Sequence, residues 1–335
     1  MKLLISYGTR PEWIKIAPLV REFDKRGLEY KLLFTGQQID IGEFKFDWRI
    51  GIRDGANRLD SIIASSMNFL PKILALNEIT HVLVMGDTAS AFGVGLSAFN
   101  NGLKVIHLEA GLRTYDKDNP YPEESYRRMI SQIADIHLCP TKNNFKNLVN
   151  EQIYGDSYIV GNTVLDNLLP YKDKCEYTNK VLVTMHRREN HELLNRWFEE
   201  INALAKFHSE LEFILPLHPN PNVQKHKHLL THVNVVDPMS HEELLETLVK
   251  TKMVITDSGG IQEECSFFNK ICLVCRKVTE RPEALGQSSY TVKEPQELKK
   301  RFDLFLPKHE INYECPFGDG HSAEKITDIL ENLKD

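Results

Sequence analysis

Cysteine is scarce in this chain: 335 residues hold six, at Cys139, Cys175, Cys265, Cys272, Cys275 and Cys315. So thin and scattered a set excludes a disulfide framework and points to a reducing compartment, the cytoplasm. The one close pair, Cys272 and Cys275, lies in the apolar run Ile271-Cys272-Leu273-Val274-Cys275. On a strand the two would face opposite sides, so buried core is expected there rather than redox or metal chemistry. No compact His/Cys cluster has zinc spacing, and no Gly-x-Gly-x-x-Gly follows the first strand, so neither a metal nor a dinucleotide cofactor is expected. No apolar run is long enough to span a bilayer. The opening Met1-Lys2-Leu3-Leu4-Ile5-Ser6-Tyr7 is too short for a signal peptide and reads as a first strand. An excess of basic charge is missing too: 41 Lys and Arg stand against 47 Asp and Glu, a net charge of −6. That argues against nonspecific binding to nucleic acid. No repeat or low-complexity segment interrupts the chain. These absences leave a soluble globular protein without a membrane or nucleic-acid partner.

What is present is a regular alternation of short apolar runs and helical segments, the pattern of α/β domains with parallel sheets. Strands are expected at residues 3–6, 30–34, 82–85, 105–108, 136–139 and 158–160, then at 181–184, 213–217, 233–236, 253–256, 271–274 and 289–292. The two sets are about equal, which predicts two Rossmann-like domains, 1–170 and 171–335, with a boundary in the polar stretch 171–179. The last helix, 322–334, carries Ile326, Ile329, Leu330 and Leu333 on one face. It is expected to pack on one domain or to bridge both.

Chemistry concentrates where strands end. In Met253-Val254-Ile255-Thr256-Asp257-Ser258-Gly259-Gly260 a buried strand runs into a small-residue turn, and helical spacing from Ile261 would put Gln262, Glu263 and Glu264 in a first turn. Free N–H groups and the positive end of a helix dipole meet at such a turn, and glycine admits a phosphate close to the backbone. An ordinary strand-to-helix turn would look the same from these residues alone. Arg10, in Gly8-Thr9-Arg10-Pro11-Glu12, stands at another strand end, where a guanidinium can clamp phosphate. His186, Arg187 and Arg188 form a cationic cluster, and His218 follows a fourth strand. Asp87 and Glu109 each end an apolar run, a costly place for a charge unless it is paired or faces a cleft. Glu123 and Glu124 open a helix with Arg127 one turn on. Dipole complementation and a Glu123–Arg127 ion pair would explain them without function. Taken together, three acids and several cations around one cleft favour proton transfer on a phosphorylated substrate. Ligands of open parallel sheets sit at strand C-termini, which places the expected active site in a cleft between the domains.

Over nearly its whole length the chain resembles the non-hydrolysing UDP-N-acetylglucosamine 2-epimerases, which share the two-domain architecture of GT-B glycosyltransferases. The resemblance runs through Gly8 to Glu12 with Lys15, Gly86-Asp87-Thr88, Glu109-Ala110-Gly111-Leu112-Arg113-Thr114 and Pro122-Glu123-Glu124-Ser125-Tyr126-Arg127. It continues through His186 to Glu189, His218-Pro219, Asp257 to Glu264, and Glu280-Arg281-Pro282-Glu283. It implies Asp87, Glu109 and Glu123 as catalytic acids supported by the cations Arg127 and His186. It implies a diphosphate cradle of Arg10, Ser258, Gly259 and Gly260, with Glu264 on the ribose and His218 near the sugar or the hinge. Lys15, Arg113 and Arg281 fall among its substrate-binding positions, Arg281 with Glu280 and Glu283 in a loop by the sugar. The implied reaction interconverts UDP-GlcNAc and UDP-ManNAc, or a related pair of UDP-2-acetamido-2,6-dideoxy-L-hexoses, by elimination and re-addition of UDP for surface polysaccharide synthesis. It needs no cofactor and no metal, and the family implies a homodimer. A hydrolysing epimerase, a GT-B glycosyltransferase and a nucleotide-sugar sensor are the competing readings. Allosterically controlled relatives carry polar residues after the second strand. Here Ile39 to Phe46 and Asp54 to Leu59 lack that pattern, so simple kinetics are expected.

Overall fold

Each apolar run marked in the sequence forms a strand. The computed structural model describes residues 1–38, 44–52, 55, 57–279 and 281–333. In chain order its strands are β1 (Leu3–Tyr7), β2 (Tyr30–Phe34), β3 (Trp48–Arg49), β4 (His81–Met85), β5 (Lys104–Leu108), β6 (Ile136–Cys139), β7 (Asp156–Ile159), β8 (Lys180–Thr184), β9 (Glu212–Pro216), β10 (Asn234–Val236), β11 (Thr251–Thr256), β12 (Ile271–Val274) and β13 (Ser289–Thr291). Only β3 escaped the sequence reading. It has two residues and no apolar run, and it exists because Trp48 and Arg49 pair with Leu33 and Phe34. The helices used below are α1 (Arg10–Arg26), α2 (Arg58–Leu74), α3 (Ala89–Asn100), α4 (Glu123–Ile133), α5 (Lys142–Asn150), α6 (Leu194–Phe207), α7 (Pro221–Gln224), α8 (His241–Leu248), α9 (Gly259–Phe267), α10 (Leu298–Phe305) and α11 (Ser322–Asn332).

The strands form two parallel sheets, ordered β3-β2-β1-β4-β5-β6-β7 and β10-β9-β8-β11-β12-β13. Helices cover both faces, so the central strands are buried on both sides and read as continuous apolar runs. In the first sheet the chain works outward from β1 to β3, then returns to the other side of β1 with β4. In the second it does the same around β8 and β11. Each sheet therefore has one point where strand order reverses. The helices leave to opposite faces there and a crevice opens at the carboxyl ends of the strands. The reversal points are the ends of β1 and β4 in one sheet and of β8 and β11 in the other.

The chain divides into two compact units, Met1–Asn167 with the segment from Gly318 onward, and Leu168–Phe317. The expected second domain, 171–335, is corrected at its end: the last segment returns to the first unit. Ala323, Ile326 and Leu330 of α11 join the same core as Ile16, Leu19 and Phe23 of α1. Arg26 pairs with Asp328 and Glu331 at 2.5 and 3.0 Å. Asp166 accepts hydrogen bonds from the Ser322 and Ala323 N–H groups at 3.2 and 2.7 Å, capping α11 from a distant part of the chain.

Candidate functional site

In the first unit the reversal point carries the acids. Asp87 follows β4, and its Oδ2 accepts from Arg127 Nε at 2.9 Å and from a terminal nitrogen of the same guanidinium. Arg127 is itself buried, and it also donates to Glu124 Oε2 at 3.2 Å. Burial pushes the Asp87 carboxyl upward, Arg127 pulls it down, and the neighbouring Glu109 charge pushes it up again; the net direction is up. A carboxyl so balanced, with a quarter of its side chain (25%) open to solvent, suits proton exchange. Glu109 follows β5 and holds φ at +66°, in the left-handed region. Only Gly, Asn and Asp visit that region readily, so the strain aims the side chain. Its Oε1 pairs with Lys15 of α1. Gly86 holds φ at +68°, which favours glycine, and a Cβ there would make only ordinary contact, 3.5 Å from Glu109 Oε2.

Glu123 opens α4 and makes no ion pair with Arg127 among the described residues; Arg127 pairs instead with Glu124, three positions before it. Glu124 Oε2 and Oε1 also accept from the N–H groups of Thr114 and Tyr115, at 3.0 and 3.1 Å. The Oε2 atom of Glu123 is buried with no hydrogen-bond partner among the described residues. Arg10 is exposed, and its guanidinium has no partner among them either; its backbone N–H donates to Gln38 Oε1 at 2.9 Å.

Two residues expected on the substrate have protein partners in this structure. Arg113, expected on the substrate, has a side chain with no exposed surface. It donates to both Glu151 oxygens, to Ser131 Oγ at 3.1 Å and to the Leu112 carbonyl at 2.8 Å. Its donors are occupied, so it ties the loop after β5 to the helices behind it. Gly111 beside it packs just as closely: a Cβ would fall 2.3 Å from the Asn144 carbonyl oxygen. Lys15, also expected on the substrate, is on Glu109.

In the second unit the reversal point carries open donors. The helix α9 begins at Gly259, two residues earlier than its spacing suggests. Glu263 and Glu264 therefore lie beyond the first turn, which holds no acid. Thr9, Thr88, Thr141 and Ser240 each accept an N–H bond from the helix they precede. Ser258 does not: its hydroxyl makes no capping bond, and the N–H groups of α9 stay available for an anion. Gly260 is exposed, and a Cβ there would meet only Ser258 Oγ, at 3.9 Å. Glycine is unfavourable in a helix by about 1 kcal/mol relative to alanine, and packing does not require it here. It leaves backbone open to close approach.

Asp257, fully buried, organises this end of the sheet. It accepts from the N–H groups of His186 and Arg187 at 3.0 and 2.9 Å and from Asn190 Nδ2 at 3.0 Å. That holds the loop after β8 against the turn after β11. The His186 ring stacks on His218 with centroids 5.4 Å apart. Burial lowers the His186 pKa despite Asp257, so the residue expected as a cation is held toward its neutral form. His218 is exposed, and its Nδ1 accepts from the Asn220 N–H at 3.1 Å. Glu264 Oε1 accepts from His241 at 3.1 Å, while its Oε2 is buried without a hydrogen-bond partner among the described residues. Arg281, expected on the substrate, folds onto Glu263, Nε to Oε1 at 2.5 Å. Glu280 and the side chain of Arg188 lie outside the described residues.

Cavity size points elsewhere. Two cavities of about 690 and 670 Å³ open at the amino ends of the first sheet's strands, beside Lys104 and Asp135 and beside Lys2 and Glu78. Neither contains a residue marked for chemistry, and parallel sheets present ligands at the other end. Three residues organise these ends of the sheets without a role marked for them in the sequence: Asp257, Glu12 and His107. Asp257 obeyed the rule that found Asp87 and Glu109, a charge closing a buried strand. His107 sits in β5, and its Nε2–H donates to the Gly86 carbonyl at 2.8 Å; an alternating strand pattern gives no sign of that.

The family model described as UDP-N-acetylglucosamine 2-epimerase matches residues 21–331. The UDP-N-acetylglucosamine 2-epimerase of Salmonella borreze is 35% identical over 374 residues, covering 100% of this chain and 99% of that protein. The alignment is longer than the 335-residue chain, so that relative carries segments absent here. Among solved structures, the UDP-GlcNAc 2-epimerase of Neisseria meningitidis bound to UDP-GlcNAc matches with a TM-score of 0.86 and 33% identity, covering 99% of this chain and 100% of that one. The S. aureus MnaA–UDP structure matches with a TM-score of 0.86 and 30% identity, covering 99% and 96%.

Proposed function

The chain belongs to the UDP-N-acetylglucosamine 2-epimerase family, and from that premise we propose that it interconverts UDP-GlcNAc and UDP-ManNAc without hydrolysis. The observation that carries this reading is the paired acids of the first unit: Asp87 with Arg127, and Glu109 with Lys15. The hydrogen on C2 of the sugar is not acidic, since no carbonyl is adjacent. A carboxylate removes it as the C1–O bond breaks. The C–H electron pair becomes the C1=C2 double bond, and the C1–O pair leaves on the β-phosphate oxygen as UDP. The intermediate is 2-acetamidoglucal. UDP then adds back to C1 while an acid protonates the other face of C2. Asp87, Glu109 and Glu123 are the acid–base set. Arg10 and the N–H groups at Ser258, Gly259 and Gly260 receive the diphosphate. His186, as a neutral imidazole, donates to it, and the bare Oε2 of Glu264 accepts from a ribose hydroxyl.

The six free cysteines support a reducing cytoplasm as the place of action, and a homodimer is the assembly we expect, to be checked by light scattering. Incubation with UDP-GlcNAc alone, in D₂O, tests the reaction. UDP-ManNAc with deuterium at C2 and nowhere else is expected. Free ManNAc with UDP would instead make the enzyme hydrolysing, and product without deuterium at C2 would overturn proton exchange through these carboxylates.

A further inference from the structure

Glu12 has no part in that chemistry, yet it is among the most heavily engaged carboxylates in the first unit. It is 5% exposed. Its Oε2 accepts from the Gly8 N–H at 2.6 Å, the Thr9 N–H at 2.8 Å and the Thr9 hydroxyl at 3.1 Å. Its Oε1 accepts from the Thr88 hydroxyl at 2.6 Å. One carboxylate thus joins two turns at the reversal point. The turn after β1 leads into α1, which carries Arg10 and Lys15, and Lys15 reaches Glu109. The turn after β4 carries Asp87 immediately before Thr88. A helix cap of this kind needs only the Oε2 bonds. The Oε1 bond to a second, distant turn is additional, and it falls on the residue next to the acid.

The surroundings leave Glu12 as the main tie between these turns. Thr35 and Ser90 share a hydroxyl hydrogen bond at 2.6 Å beneath Gly8, where a Cβ would lie 2.3 Å from either oxygen. Packing there is close, so a shift in one turn is transmitted to the next. Backbone geometry fixes Gly86 through His107 and through its own N–H bond to the Leu108 carbonyl at 3.0 Å. Asp87 is fixed by Arg127, and Thr88 by Glu12.

Resting on the acid–base reading above, we propose that Glu12 is a positioning residue: through Thr88 it sets Asp87 in register with Lys15 and Glu109, and so fixes the spacing of the two acids. Glu12→Gln separates this role from capping. The amide oxygen must take the Oε2 site, where three donors converge, so the NH₂ group faces Thr88. Thr88 already accepts from the Ala91 N–H at 3.1 Å and loses the acceptor for its own hydrogen. Both helix caps persist while the link between turns is altered.

The test compares E12Q, T88V, the double variant and T88S in the full chain. Misplacement on the order of 1 Å can lower a rate about 10²-fold, so E12Q and T88V are each expected to lower kcat by about 10- to 100-fold, with KM and UDP affinity nearly unchanged. The double variant should lose little more than either single one, and T88S should restore turnover. Wild-type kcat in E12Q, or additive losses in the double variant, would overturn the proposal. A wild-type protein inert toward UDP-GlcNAc would instead reject the proposed function. In that event carboxyl carbon NMR, with Asp87 assigned through D87N, still decides the positioning role. E12Q should move the Asp87 titration midpoint, and an unmoved midpoint would count against Glu12.

Discussion

The two reversal points use charge in opposite ways. In the first unit three cations near the acids have protein partners, Arg127 on Asp87 and Glu124, Lys15 on Glu109 and Arg113 on Glu151, while the exposed Arg10 has none among the described residues. In the second unit the helix start is uncapped, its first turn holds no acid, and Glu264 keeps one bare buried oxygen. A paired carboxylate stays in place while it gains and loses a proton. An uncapped helix start waits for an anion from outside. Under the proposed reaction the difference assigns proton exchange to one half and ligand holding to the other, so that each should tolerate different substitutions.

The largest expected effect breaks the first half alone. Asp87→Asn and Glu109→Gln should each lower turnover by about 10²–10⁴-fold, with UDP affinity by calorimetry unchanged. Equal losses of affinity would erase the distinction. Next comes a change that should harm stability without touching either function. Arg113→Met takes the partner from the half-buried Glu151 and from the buried Ser131 hydroxyl and Leu112 carbonyl, a loss on the order of 1–3 kcal/mol, read by urea unfolding; the protein that stays folded should bind UDP normally. Weakened UDP binding at full stability would return Arg113 to the substrate.

Gly260→Ala sharpens the second half. The added methyl enters space that the protein leaves open, so the helix should gain about 0.5–1 kcal/mol. UDP affinity should nevertheless fall roughly tenfold or more, since 1.4 kcal/mol is a factor of ten. A variant both more stable and equally tight would remove the cradle.

A smaller effect is pH-dependent. Burial depresses His107 from 6.5 to about 3. The folded state then binds fewer protons than the unfolded chain between those values, so His107 contributes stability above pH 6.5 that is lost as the pH falls toward 3. His107→Gln should flatten that acid limb in chemical denaturation while keeping a donor for the Gly86 carbonyl. An unchanged limb would mean that other groups govern it. The smallest expected effect is none: initial rates should follow a hyperbola in UDP-GlcNAc. Beside the segment after β2, Phe44 packs edge-on against Trp13 at 5.5 Å and Phe46 lies 5.9 Å from Phe34. Of the stretches on which this expectation rests, residues 39–43, 54 and 56 lie outside the described residues. Sigmoidal rates would show a second binding event.

By itself the sequence determined the alternation of strands and helices, the two parallel sheets and the clustering of chemistry at strand ends. Apolar runs and turn residues are local signals, and a charge closing a buried strand, as at Asp87, Glu109 or Asp257, is legible without coordinates because burial makes it costly. Partner choice is not local. Arg113 and Lys15 read as substrate ligands in the sequence, which does not show their protein partners Glu151 and Glu109, 38 and 94 positions away. Arg127 takes Asp87 and Glu124 rather than Glu123, because side-chain direction on α4 decides between neighbours. The return of α11 to α1 rests on a matched apolar face and on ion pairs with Arg26. An amphipathic helix shows in sequence which face it buries, never against what. The bond from Glu12 to Thr88 spans 76 residues. Only the packed sheet, by setting β1 beside β4, brings those two turns within hydrogen-bonding distance.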